Sequence, residues 1–227
     1  TLSKDTNGAV LAWSGEWAEG DFAITLKGHG DVEAWVVGLD EVASAGAYFE
    51  RALTEGTVTT PASAPGLLAV GCIVNRTGWP TIGGPGVELP DDTKPDDVCF
   101  FSSAGPLPDG TAKPEILAPG GFIAAAMSVD ADPRTHPGSI FDPPGCPPSE
   151  PHCYVVDEGY AVTSGTSMSA PHVTGAAALL LEQDPSLTEA RVTQILQASA
   201  RLPSGAKPLD AQLGVGALDL SNALQVM

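Results

Sequence analysis

The sequence predicts a domain that combines a buried strand with helices, and three stretches carry that prediction. Leu67 to Val74, in "GLLAVGCIV", is an unbroken apolar run after a Pro-punctuated loop, the length of a buried strand. "SMSAPHVTGAAALLLEQ", residues 167–183, is apolar nearly all round: Met168, Ala170, Val173, Ala176 to Ala178 and Leu179 to Leu181. A helix without a polar face is expected to be buried centrally. "DPSLTEARVTQILQASA", residues 184–200, predicts a second helix, with a capping-box-like Ser186 and Glu189 at its start and Val192, Ile195 and Leu196 on one face.

The other elements follow in chain order. Residues 1–56 predict a β-rich, sandwich-like segment. "DFAITLKG" places Phe22, Ile24 and Leu26 on one face, "GHGD" is a turn, and "VEAWVVG" is a second strand. Trp13, Trp17 and Trp35 would fill its small core, with a carbohydrate-binding face as the alternative. Residues 57–227 form the second unit. "WPTIGGPGVELPDDTKPDD" reads as a long loop, "CFFSSAGP" as a short strand with a turn, and "KPEILAPGGFIAAAM" as two short apolar segments around an Ala-Pro-Gly turn. Residues 128–155 read as another long loop; loops of this length in a compact domain are usually functional or covered by a partner. "GVGALDLSNALQVM" reads as a closing turn and a short helix. Pro171 is expected in or near the first turn of the long helix, where a missing N–H is tolerated.

Composition narrows the function classes. The 227 residues include 28 acidic and 10 basic side chains, a net charge of −18, which disfavours nucleic acid and anionic membranes as partners. Solubility is the plain reading of that charge. Acidic clusters that hold a structural calcium are the other, at Asp130 and Asp132 in "SVDADP" or at Asp91, Asp92, Asp96 and Asp97 in "PDDTKPDD"; neither string matches a calcium loop, and no other cofactor is expected. No apolar run is long enough to cross a membrane. No basic-then-apolar leader opens the chain, and a start at Thr1 suits a mature or cleaved product.

Four cysteines allow three pairings. Cys146 and Cys153 bracket the short loop "CPPSEPHC", so a local bridge is the economical choice and leaves Cys72 with Cys99. Reduced thiols are the alternative; a zinc site lacks a C-x-x-C pair. Disulfides would place the chain outside the cytoplasm.

The chemistry concentrates in "GTSMSAPHVTG", residues 165–175. Ser167 would sit at the mouth of the apolar helix, where unpaired N–H groups and a partial positive charge face outward. A hydroxyl there can attack a carbonyl while backbone N–H groups meet the developing oxyanion. Gly165 lets the backbone come close to a substrate. The bland alternative is a serine N-cap on a core helix.

The longer string "SGTSMSAPHVTGAAALLL" resembles the nucleophile segment of the subtilisin-like serine proteases, Gly-Thr-Ser-Met-Ala-x-Pro-His-Val-x-Gly, with Ser169 in place of the usual Ala. "GLLAVGC", "FFSSAGP", "KPEILAPGG", "DPSLTEARVTQILQASA" and "GVGALDLSNAL" are similar to further family segments in the family's order, over about residues 57–227. The resemblance implies a three-layer α/β fold with a mostly parallel sheet and helices on both faces. It implies a serine endopeptidase acting on protein or peptide, with Ser167 as nucleophile and its own N–H as half of the oxyanion hole. Gly165, Thr166 and Pro171 support the motif, and His172 is implied to be structural rather than the general base.

The family's chain order is Asp, His, Ser, so the acid, the base and the oxyanion Asn should precede Ser167 by well over a hundred residues. Asp5 in "KDTNG" and His29 in "GHGD" echo the family's segments too weakly to serve. Asn75 falls after the Val-Gly strand, too late for the oxyanion Asn; it heads a glycosylation sequon, Asn-Arg-Thr. The expectation is therefore the C-terminal part of a bacterial, extracytoplasmic catalytic domain. An N-terminal fragment of the same protease would supply Asp, His and Asn, and this chain alone would be inactive. A non-catalytic scaffold or binding protein that keeps the fold is the competing reading.

Overall fold

The computed structural model describes residues 20–30, 32–36, 49–88, 93–141, 146–204 and 212–227. Its centre is a parallel pair, β1 (Val70–Ile73) and β4 (Ile116–Pro119), in register from Val70 opposite Ile116 to Ile73 opposite Pro119. Strand alternation sends successive β4 side chains to opposite faces. Ile116 and Ala118 face a cluster with Val173, Ala176, Leu180, Val192, Ile195, Leu196 and Ala223. Leu117 faces Ile73, Leu213 and Ala217. The pair is thus covered on both sides, as parallel strands require. Burying Leu180, Ile195 or Leu196, each essentially inaccessible, contributes about 1.5–3 kcal/mol per side chain.

The helices on the first face are α1 (Thr166–Gln183), α2 (Glu189–Ser199) and α3 (Leu220–Ala223). Sequence and structure differ on α1. It buries a single stripe, Ser169, Val173, Ala176 and Leu180, rather than its whole circumference. Leu179 is 42 % exposed and Leu181 40 %, and a Cβ added at Gly175 would meet nothing. The stripe follows the helical period, and among the described residues no second layer covers the rest. Pro171 lies inside α1, past its first turn. Its missing N–H therefore removes the bond that the Ser167 carbonyl would have accepted.

α2 begins later than its sequence suggests. The Thr188 hydroxyl accepts from the Arg191 N–H as the N-cap, while Ser186 turns back onto the Asp184 carboxylate. An Asp-initiated turn has displaced the expected capping box. The buried face Val192, Ile195 and Leu196 is the expected one. α3 is capped by Asp219, which accepts from the Asn222 N–H.

A second group of strands stands beside the parallel pair. β2 (Gly78–Thr81) and β3 (Gly84–Glu88) form an antiparallel hairpin where a loop was expected. Ile82-Gly83 makes its turn, and Pro80 and Pro85 mask the alternation in the sequence. β5 (Ile123–Ala126), β7 (Tyr160–Thr163) and β6 (Val155–Asp157) form a three-stranded antiparallel sheet in the order β5-β7-β6. A 3₁₀ turn, Val129–Ala131, interrupts the loop after β5. The ring of Trp79 stacks on Phe122 at 4.1 Å between centroids, and its Nε1–H donates to the Cys153 carbonyl at 2.8 Å. That stack joins the hairpin to the sheet.

Among the described strands, β1–β4 is the one parallel pairing; β2–β3, β5–β7 and β6–β7 are antiparallel. The expected strand in 99–106 is absent: Val98 makes an isolated bridge to Ile73, and the chain then turns from Cys99 to Ser102. Residues 20–30 and 32–36 form no strand, and Phe22, Ile24, Leu26, Val32, Trp35 and Val36 stay exposed. Alternation alone does not hold a strand. Trp13 and Trp17 lie outside the described residues, as does Asp5. The two disulfides pair as expected, Cys72 with Cys99 and Cys146 with Cys153.

Candidate active site

β7 delivers the chain to Ser164 and Gly165, where it bends into α1. Gly165 has φ 151° and ψ 159°, in the half of backbone space that side-chain-bearing residues rarely enter. Its N–H donates to the Gly120 carbonyl at 2.9 Å, and its own carbonyl accepts from Met168 at 2.9 Å and Ser169 at 3.3 Å. The bend is thus held by backbone alone, without a side-chain cap.

Ser167 is the second residue of α1 and is exposed. Among the described residues neither its hydroxyl nor its N–H meets a partner. An eighteen-residue helix concentrates about half a positive charge at this end. The arrangement sets a hydroxyl and a free backbone donor side by side, with the helix dipole favouring negative charge next to them. That is what a nucleophile with half an oxyanion hole needs.

No hydrogen bond joins Ser167 to His172 or His29 among the described residues. His172 is exposed, and its Nδ1 lies 2.9 Å from the Met168 carbonyl one turn back, which fixes the proton on Nδ1. His29 lies exposed in the 28–30 bend. Thr166 and Pro171 flank Ser167 on α1. No described side chain is brought to Ser167 as a proton acceptor.

One aspartate of each acidic string takes a guanidinium partner, and Asp97 instead accepts from the Lys94 N–H at 2.9 Å. Arg201 grips Asp96 through both terminal nitrogens, at 2.8 and 2.6 Å, and the Ser204 N–H adds a third bond. The Arg201 hydrogen bond holds the Asp96 carboxyl at about 2, below its ordinary 3.8. Arg134 does the same to Asp132, also to about 2. Asp91 and Asp92 lie outside the described residues. Among the described residues no three His, Cys, Asp or Glu gather as metal ligands.

Three supports escape a reading of the sequence. Gly120 faces the α1 bend so closely that a Cβ there would sit 2.0 Å from Ser169 Oγ and 2.7 Å from the Gly165 carbonyl. Ser102, buried, accepts from the Cys72 N–H at 3.0 Å. Asn75 grips the backbone of Phe122 with both ends of its amide. The Gly-Gly pair after Pro119 was the available signal for the first; the other two contacts span 30 and 47 residues and leave no local trace.

Comparison with known proteins bears on this geometry. A family model described as the subtilase family, Peptidase_S8, matches residues 39–216. The serine protease AprX of Bacillus subtilis is 31 % identical over 165 residues, covering 73 % of this chain and 31 % of that protein. The subtilisin-like protease SBT2.6 of Arabidopsis thaliana is 30 % identical over 124 residues, 51 % of this chain and 13 % of that protein. Among solved structures, the CspB protease of Clostridium perfringens aligns with a TM-score of 0.47 at 24 % identity, covering 76 % of this chain and 29 % of that one. The chain spans less than a third of the length of these relatives.

Proposed function

Since this chain belongs to the subtilase family, we propose that it carries the nucleophile of a serine endopeptidase, Ser167. The observation that carries the reading is an exposed serine with an unengaged N–H at the mouth of a long helix, behind a glycine bend, inside the family's matched range. The hydroxyl gives its proton to a histidine base as Oγ bonds to the peptide carbonyl carbon. The Ser167 N–H meets the oxyanion. The C–N bond then breaks, the proton passes to the leaving amine, and water releases the acyl group by the same route in reverse. This chemistry calls for no cofactor.

The acid, the base and the oxyanion Asn come, in this proposal, from an N-terminal part of the same protease. Two observations support a docked second part. The outer side of α1 leaves Leu179, Leu181 and Gly175 uncovered, and β1–β4 is a two-stranded parallel sheet, the nucleus that further strands would extend into the family's mostly parallel sheet. Residues 57–227 are assigned to the catalytic domain and 1–56 to a β-rich insert that pairs only in the complete assembly. His172 supports α1 rather than moving protons. Two disulfides support an extracytoplasmic setting.

Ser167→Ala in the protease holding the whole catalytic domain tests the assignment. Peptidase activity is expected to disappear with the melting temperature retained. Activity equal to the parent's identifies another nucleophile.

A further inference from the structure

β1 ends at Ile73, whose carbonyl accepts from both Gly120 and Gly121, at 3.1 and 3.2 Å. One rung further on, the partner of the returning chain is a side chain. Asn75 Nδ2 donates to the Phe122 carbonyl at 2.8 Å, and the Phe122 N–H donates to Asn75 Oδ1 at 3.0 Å. The amide therefore imitates a peptide unit and extends the β1 contact past the bend after Pro119. The segment 120–122 is held at both ends, by Ile73 at one and by Asn75 at the other. From between those anchors the Gly120 carbonyl receives the Gly165 N–H at 2.9 Å. There is no slack at that contact: a Cβ at Gly120 would also come within 3.1 Å of Cys72 Sγ, and one at Gly121 within 2.9 Å of Val74 Cα.

We propose that Asn75 is a positioning residue for Ser167, fixing the α1 bend through Phe122 and Gly120. The inference rests on the peptidase reading above. It also reassigns the Asn-Arg-Thr sequon. Nδ2, the atom a glycan would occupy, is committed to Phe122, so glycosylation and the grip exclude one another.

The test uses the protease with its whole catalytic domain and a fluorophosphonate probe. The second-order labelling rate at Ser167 is measured per folded molecule, well below the melting temperature, for the parent, Asn75→Ala, Asn75→Asp and Thr77→Ala. Misplacement of a reacting group by about 1 Å can slow a reaction ~100-fold. Asn75→Ala is expected to slow labelling by ~10- to 100-fold. Thr77→Ala, which destroys the sequon and spares the amide, is expected to match the parent. Asn75→Asp keeps the acceptor and loses the donor at neutral pH. Its rate relative to the parent should recover as the pH falls through about 4, where the protonated carboxyl both donates and accepts.

A lower melting temperature with labelling within twofold of the parent overturns the inference. So does equal slowing by Thr77→Ala. If Asn75→Ala does not fold, the absence of acid recovery in Asn75→Asp overturns it. A parent that takes no label at Ser167 overturns the peptidase reading and this inference together, whereas a labelled parent with an insensitive Asn75 overturns only the latter.

Discussion

Ser169→Ala should stabilise the protein, and the gain can be worked from the structure. Ser169 is completely buried in α1, and among the described residues its hydroxyl has no hydrogen-bond partner. An unpaired buried hydroxyl costs about 1–3 kcal/mol. Alanine also favours the helix interior by about 0.5 kcal/mol over serine. Against this stands the small void left by one oxygen atom, roughly 0.3 kcal/mol at the usual price per unit of cavity volume. The net gain is about 1–3 kcal/mol, or roughly 2–12 °C in melting temperature for a protein of this size. The assay is thermal unfolding followed by circular dichroism, with Ser167→Ala in both proteins to prevent autolysis. A companion double-mutant cycle sharpens it. Gly120→Ala places a methyl 2.0 Å from Ser169 Oγ, so its cost should fall in the Ser169→Ala background by about 1 kcal/mol. A melting temperature lowered by Ser169→Ala would refute the reasoning, because it would mean that the hydroxyl has a partner in solution.

Other outcomes follow from single contacts. The Cys72–Cys99 bridge spans 27 residues and Cys146–Cys153 spans 7; loop-closure entropy then assigns them about 3.5 and about 2.5 kcal/mol. Paired Cys→Ala variants compared by denaturant unfolding should rank in that order. His172→Ala should leave the pH profile of Ser167 labelling unchanged in shape; loss of its titration near neutral pH would make His172 the base. Asp96, held at about 2 against an ordinary 3.8, binds its proton less readily folded than unfolded. Its contribution to stability is therefore complete above about pH 4 and is lost as the pH falls toward 2. Arg201→Ala should flatten that part of an acid-unfolding curve, by less than about 1 kcal/mol because the Arg201 side chain is nearly half exposed; an unchanged curve would show that the pair is fully screened.

The elements that were legible in the sequence are those whose burial repeats locally. Val70 to Ile73 reads as a strand because the run is apolar and bounded, and Val192, Ile195 and Leu196 read as a face because they recur at the helical period. The hairpin β6–β7 leaves a fainter signal, two short apolar runs around Glu158-Gly159, with Gly159 at φ 73°. β2 and β3 are hidden by prolines, and their stability comes from Trp79 against Phe122, a contact over 43 residues of sequence. The exposed alternation of Phe22, Ile24 and Leu26 shows the converse: a strand pattern by itself does not make a strand. Around the site, the nucleophile motif is local and was readable. The Asn75, Ser102 and Gly120 contacts that hold it are long-range, and their residues look like a sequon, a turn and a spacer.

The most direct test of the account is covalent labelling of Ser167. A fluorophosphonate probe is applied to the protease as isolated with its whole catalytic domain, and in parallel to this chain purified alone, and the labelled peptide is mapped. The account predicts label on Ser167 in the former and none in the latter, because it assigns the base and the second oxyanion donor to the proposed N-terminal part. Label absent from both would contradict a catalytic role, and label on Ser167 in the isolated chain would contradict the division of the site between two parts.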